Sequence, residues 1–210
     1  MRLVALCVML ASSAAADSWA PPQSRSWNSN DVGFVVEVFA PNSRHNTQQR
    51  GTVAYAYSIK RRAPRLEAKL VWQGPLVNPR APVAALVTND GYFITLDEWS
   101  GMGYGNAVVL YSPAGKVLRS YHLDNLAIPD TYKNVNVSVS SRDWRQHATY
   151  FHHAKRRQFQ ILLGGGILEF SLVDGSHKWV PLGMDPPDLG DPMTFHDRAL
   201  DLATLTDLPP

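Results

Sequence analysis

The sequence predicts an all-β protein built from antiparallel four-stranded meanders, propeller-like but short of a closed ring, with a β-sandwich as the alternative packing. Three observations carry that expectation. Almost every apolar run after residue 31 is short, rich in β-branched or aromatic residues, and bounded by Gly, Pro, Asn or Asp. Turn signals such as Asn89-Asp90-Gly91 and Ser112-Pro113-Ala114-Gly115 join consecutive runs, because Gly supplies the positive φ that tight turns need. The pattern also repeats, with Gly175 standing where Gly115 stood, between an apolar run and an alternating one.

The 210 residues are 45% hydrophobic and 18% charged, so the chain can bury a core as one domain without a metal or disulfide staple. Twenty Lys and Arg against eighteen Asp and Glu give a net charge of +2, too small to argue for nucleic acid or an anionic membrane as partner.

Residues 1–16 read as a secretory signal peptide. Met1-Arg2 is a short positive start, Leu3 to Leu10 an apolar run, and Ala14-Ala15-Ala16 a small-residue cleavage site, with Ala20 as the second choice. The apolar run is far below the ~20 residues that a membrane span needs, and no later run approaches that length. Cys7, the one cysteine, lies inside this segment and away from the junction, so lipid attachment is not expected. Cleavage removes only Arg2 among the charged residues, leaving 19 basic against 18 acidic side chains. The mature chain is then cysteine-free, periplasmic or extracellular, and closed to disulfides, thiol catalysis and Cys-ligated zinc.

A polar, Pro/Ser-rich lead covers 17–31, and a single β domain of about three meander units covers 32–182. The weakest unit comprises Gly33–Phe39, Thr52–Ile59 and Arg65–Trp72. The clearest comprises Val83–Val87, Tyr92–Leu96, Ala107–Tyr111 and the alternating Lys116–Leu123. A third comprises His147–His152, Gln158–Leu163, Leu168–Leu172 and His177–Val180. Within it Gly164-Gly165-Gly166 reads as a hairpin turn, since a phosphate cradle requires a helix start behind the glycines. Three units are too few for a ring of four or more blades. They would form an open twisted assembly, a sandwich, or a ring completed by association. Residues 183–210 form a Pro/Asp-rich tail with a short helix expected over Phe195–Leu205.

The block Val87-Thr88-Asn89-Asp90-Gly91-Tyr92-Phe93-Ile94-Thr95-Leu96-Asp97-Glu98-Trp99, then Gly103-Tyr104-Gly105-Asn106 and Ala107–Tyr111, resembles a group of uncharacterised exported bacterial proteins with β-propeller-like repeats. The serine-rich segment Ser138–Trp144 looks like that group's Ser-rich stretch ending in Trp. The resemblance covers about 60 residues well and implies a β-rich exported fold with no assigned activity. A weaker likeness, through the hairpins alone, is to metal-dependent lactonase propellers.

The loop from Asp97 to Asn106 is the most unusual stretch. Asp97, Glu98 and Asn106, with three glycines between, are oxygen donors of the kind that hold calcium, although the spacing is not that of an EF-hand. The plainer reading has Asp97 bonding loop amides and Trp99 packing on the sheet. No metal site is expected elsewhere: His152 and His153 are strand neighbours and point to opposite faces. His122 and His177 hold comparable, exposed outer-strand positions. Neither H-E-x-x-H nor G-x-S-x-G occurs. Lys60-Arg61-Arg62 and Lys155-Arg156-Arg157 read as solvated turns.

These features favour a non-catalytic exported module that binds a protein or carbohydrate of the cell envelope through a loop face of Trp99, Tyr104 and Trp144. A metal-assisted hydrolase or lactonase using Asp97, Glu98 and Asn106, and a self-assembling structural subunit, are the alternatives. The signal-peptide reading has a direct check. Chain recovered from the periplasm should begin at Asp17 on N-terminal sequencing and show no titratable thiol; a start at Met1 with Cys7 reactive would contradict it.

Overall fold

The computed structural model describes residues 19–41, 51–62, 65–183 and 185–195. The signal segment, and the tail helix beyond Phe195, lie outside these residues. Among the described residues the chain is all-β, with three antiparallel sheets of four, four and five strands and no closed sheet. No helix among them is long and apolar enough to cross a membrane.

The first sheet is the meander β1 (Arg25–Asn28), β2 (Phe34–Phe39), β3 (Val53–Arg62) and β4 (Arg65–Pro75). The second is β5 (Pro82–Val87), β6 (Phe93–Glu98), β7 (Asn106–Tyr111) and β8 (Val117–His122). The third contains β9 (Thr149–His153), β10 (Gln158–Leu163), β11 (Gly166–Ser171) and β12 (His177–Pro181), and β13 (Asp191–Met193) returns to the outer side of β9. A short helix α1 (Asp130–Lys133) lies in the connection between the second and third sheets.

Packing follows from the apolar pattern. Leu86, Ile94, Leu96, Val108 and Leu110 of the second sheet pack with Phe159, Ile161, Leu168 and Phe170 of the third. The intervening residues Ala85, Val87, Phe93, Val109 and Tyr111 pack with Trp27, Val36, Val38, Ala54 and Ala56 of the first. At β6 and β7 both faces of the second sheet are therefore dry, which is why these strands read as continuous apolar runs. The edge strand β8 has no such double cover and alternates instead.

The two interfaces share a detail. Gly115 (φ +75°) in the β7–β8 turn lies against the Trp72 ring of β4, and Gly175 (φ +76°) in the β11–β12 turn lies against Arg119 of β8. A Cβ at either glycine would stand 2.6 Å from the neighbouring side chain. Equivalent glycines thus receive the fourth strand of the preceding sheet, so the stacking relation between sheets is itself repeated.

Two segments expected to be irregular are strands. β1 lies inside the polar lead: Arg25-Ser26-Trp27-Asn28 has no apolar run, but its backbone pairs with β2 and Trp27 fills the first core. β13 contains Pro192, which an edge strand tolerates because its missing N–H is on an unpaired side. The tail before it is tied to the third sheet by Gln160, which is buried, donates to the Asp188 carbonyl and accepts from the Gly190 N–H. The three sheets also meet directly, since Asn30 donates to the Pro192 carbonyl (2.8 Å) and the Asp31 N–H donates to Asn89 (3.3 Å).

His177 is not the exposed counterpart of His122. Its ring is stacked on Phe170 and edge-on to Tyr121, and its Nε2 accepts the Ala127 N–H at 3.0 Å. Burial pushes its pKa below 6.5, against a hydrogen bond to the Asn125 backbone. With the folded value below the unfolded one, the unfolded chain takes the proton first. Unfolding free energy should therefore be fully supported above the usual histidine value and fall as pH drops through and below it. Urea titrations across that range should show this slope, and His177→Phe should reduce it; an unchanged slope would remove His177 as the cause.

Candidate functional site

The loop between β6 and β7 is organised around one buried carboxylate. Asp97 ends the regular part of β6 with a left-handed backbone (φ +57°), which turns its side chain to the same side as Leu96, toward Trp144. One oxygen accepts the Gly103 N–H at 3.0 Å and the Trp144 indole N–H at 2.8 Å. The other accepts Arg145 Nε at 2.5 Å. Arg145 also reaches the Tyr150 hydroxyl at 3.4 Å. Asp97 is fully buried and Trp144 nearly so.

Opposing electrostatic effects act on this pair. Burial raises the Asp97 carboxyl, against the pull of Arg145, Trp144 and the Gly103 amide. Burial also acts to lower Arg145, but the Asp97 charge and Tyr150 outweigh it and hold the guanidinium firmly protonated. The geometry is that of an ion pair: the three hydrogen-bond partners of the two oxygens are all N–H donors, and a proton on either oxygen would face a donor. Asp97 therefore acts as a structural anchor for the 97–106 loop; of the plainer sequence reading, its bond to a loop amide is present, while Trp99 meets the polar lead instead of the sheet.

Glu98 and Asn106 are not joined to it. Glu98 is partly buried, accepts the Asn106 N–H, and is pushed upward by burial against that bond, Arg80 and His122. The Asn106 side chain accepts from Ser120 Oγ at 2.7 Å and donates to the Val77 carbonyl. The oxygens proposed as cation donors are thus engaged within the protein. Among the described residues no group of three or more His, Cys, Asp or Glu side chains could hold a metal ion.

The aromatic residues divide differently. Trp144 is core and unavailable to a ligand. Trp99 donates to the Ala20 carbonyl at 2.7 Å, meets Trp19 edge-on at 5.5 Å between centroids, and carries Arg25 over its ring. Tyr104 is 46% exposed, donates to the Ser138 carbonyl at 2.8 Å and lies under Arg142. Arg142 in turn bonds the Gly103 carbonyl and pairs with Asp124 at 2.7 Å, which holds the Asp124 carboxyl below its ordinary value. Met102 bridges Ser141, so the 97–106 loop and the 136–142 segment form one surface. Trp19 joins it through a bond to Ser140 Oγ at 3.0 Å.

On this surface Val137 is 54% exposed and Val139 is 99% exposed. Trp19, Arg142, Arg145 and the two valines were not legible as site residues. Trp19 lies in the polar lead, and Arg145 is a lone cation whose partner is 48 residues away. The one signal was the likeness of Ser138–Trp144 to a serine-rich stretch ending in Trp in the resemblance.

The chain matches no family model, no curated protein and no solved structure.

Replacing the anchor separates a structural carboxylate from a catalytic one. Asp97→Asn leaves Arg145 buried without its counter-charge and should cost about 3–5 kcal/mol in urea unfolding. Trp144→Phe keeps most of the ring and loses one hydrogen bond, so it should cost about 1–2 kcal/mol. An Asp97→Asn chain as stable as wild type would remove the anchor role.

Proposed function

We propose that this chain is an exported, non-catalytic β module that binds a protein of the cell envelope through the face formed by Tyr104 and the 136–142 segment. One observation carries the reading: Val139 and Val137 stand in solvent beside Tyr104, on a loop pair held from below by the buried Asp97–Arg145 ion pair. Exposed aliphatic side chains next to an aromatic ring on a rigid support match the centre of a protein interface. A sugar site would favour a bare aromatic platform flanked by carboxylates and amides. Here the Trp99 ring is already covered by Arg25 and edged by Trp19.

Export fits the same surface. Cleavage after Ala16 keeps Trp19 and Ala20, which hold Trp99 in place, whereas cleavage after Ala20 would remove both. The repeated glycine-to-neighbour contact supports a propeller-like relation between the sheets, as an open stack of three.

The test uses a photo-crosslinking amino acid at position 139 of the exported chain in living cells. A discrete protein adduct that disappears in the Tyr104→Ala background is expected, with the chain still folded and its stability lowered by about 1–2 kcal/mol for the lost Ser138 hydrogen bond and Arg142 contact. No adduct, an adduct indifferent to Tyr104, or binding of the purified chain to a glycan array would overturn the reading.

A further inference from the structure

The β3–β4 hairpin outruns the rest of its sheet. β2 ends its pairing at Phe34 opposite Ser58, while β3 and β4 continue to Arg62 and Arg65. Among the described residues β4 pairs on one side only. It is also long for an edge strand, at 11 residues, and exposes Leu66 (39%), Leu70 (44%) and Val71 (43%). A long apolar edge of this kind is a template for pairing with another strand.

Sequence symmetry identifies the partner. Around Ala68 the strand reads Leu66-Glu67-Ala68-Lys69-Leu70, apolar at both ends with opposite charges between. By strand alternation Leu66, Ala68 and Leu70 share the face that carries Ile59 and Tyr57, and Glu67 and Lys69 share the other. Two copies laid antiparallel about Ala68 place Ala68 opposite Ala68 once, on the axis, and Leu66 opposite Leu70 and Glu67 opposite Lys69 twice each. Shifting the register by one residue sets leucines against charges. Moving the centre to position 67 or 69 sets Glu against Glu or Lys against Lys.

We infer that β4 is a self-association edge, and that a second copy of this chain pairs with it antiparallel about Ala68 to join two first sheets across a two-fold axis. The Tyr104 surface plays no part in the contact. The opposite charges at 67 and 69 favour this single register, whereas an edge meant only to deter pairing would carry one sign.

Charge exchange tests the pairing without disturbing the core. In sedimentation velocity across a concentration series, the wild-type chain should dimerise. Glu67→Lys and Lys69→Glu should each weaken the dimer about tenfold, since each places like charges opposite one another twice, and the double exchange should restore it. In a Cys7→Ser background, Ala68→Cys should form an intermolecular disulfide on mild oxidation and Gln73→Cys should not. Circular dichroism melts monitor folding of each variant. A chain that stays monomeric throughout, single variants that dimerise like wild type, or equal cross-linking at positions 68 and 73 would overturn the inference.

Discussion

The central strands of the second sheet, β6 and β7, have no wet face, and most of the architecture depends on that. Its β6 and β7 side chains point alternately into two separate cores, one shared with the first sheet and one with the third. A four-stranded sheet exposed on one side would need polar residues at every second position. Here the alternate positions are Val87, Phe93, Val109 and Tyr111, which water would penalise unless another sheet covered them. The middle sheet therefore recruits both neighbours. The turn glycines set how closely each neighbour approaches, because any Cβ at Gly115 or Gly175 would collide with the strand stacked on it.

At the end of β6 this apolar logic stops and a charged one begins. Asp97 is taken out of water completely, a cost that its three N–H donors offset. The bonds run to Gly103 within the loop and to Trp144 and Arg145 beyond α1, so a single carboxylate joins the second sheet to the connection that leads into the third. Its left-handed backbone belongs to the same device, since an ordinary strand conformation would aim the side chain at the first sheet. The outcome is a loop surface that is fixed from beneath and apolar on top. Under the proposed binding role, such preorganisation would lower the ordering cost at the exposed Tyr104 and Val139.

The structure divides the residues of this block differently from the sequence reading. Asp97, Glu98 and Asn106 were grouped as oxygen donors because two adjacent carboxylates, three glycines and an amide share one loop, yet their side chains go to three different neighbourhoods. Trp144 was grouped with surface aromatics because, like Trp99, it falls at a strand end or loop, and it is among the most buried side chains. Tyr104 alone kept its expected exposure, and Trp99 is half-covered by residues of the polar lead. Local sequence cannot distinguish a carboxylate that waits for a ligand from one that already has an arginine, since the arginine is 48 residues away.

By itself the sequence determined which segments of the second and third units are strands, where their turns fall, and that Gly115 and Gly175 are equivalent. Those properties are local: alternation of side chains, β-branched content and positive-φ turn residues act over a few positions. The tertiary structure decided that a polar tetrapeptide becomes β1, that a Pro-containing tripeptide becomes β13, and that His177 is covered while His122 is exposed. In each case the deciding partner is a strand or loop remote in sequence, and pairing energy supplied from outside overrides a weak local preference. The same rule applies to the site, where the sequence placed the aromatic and acidic residues in one loop and only the packing of Trp144 and Arg145 against it determined which of them face solvent.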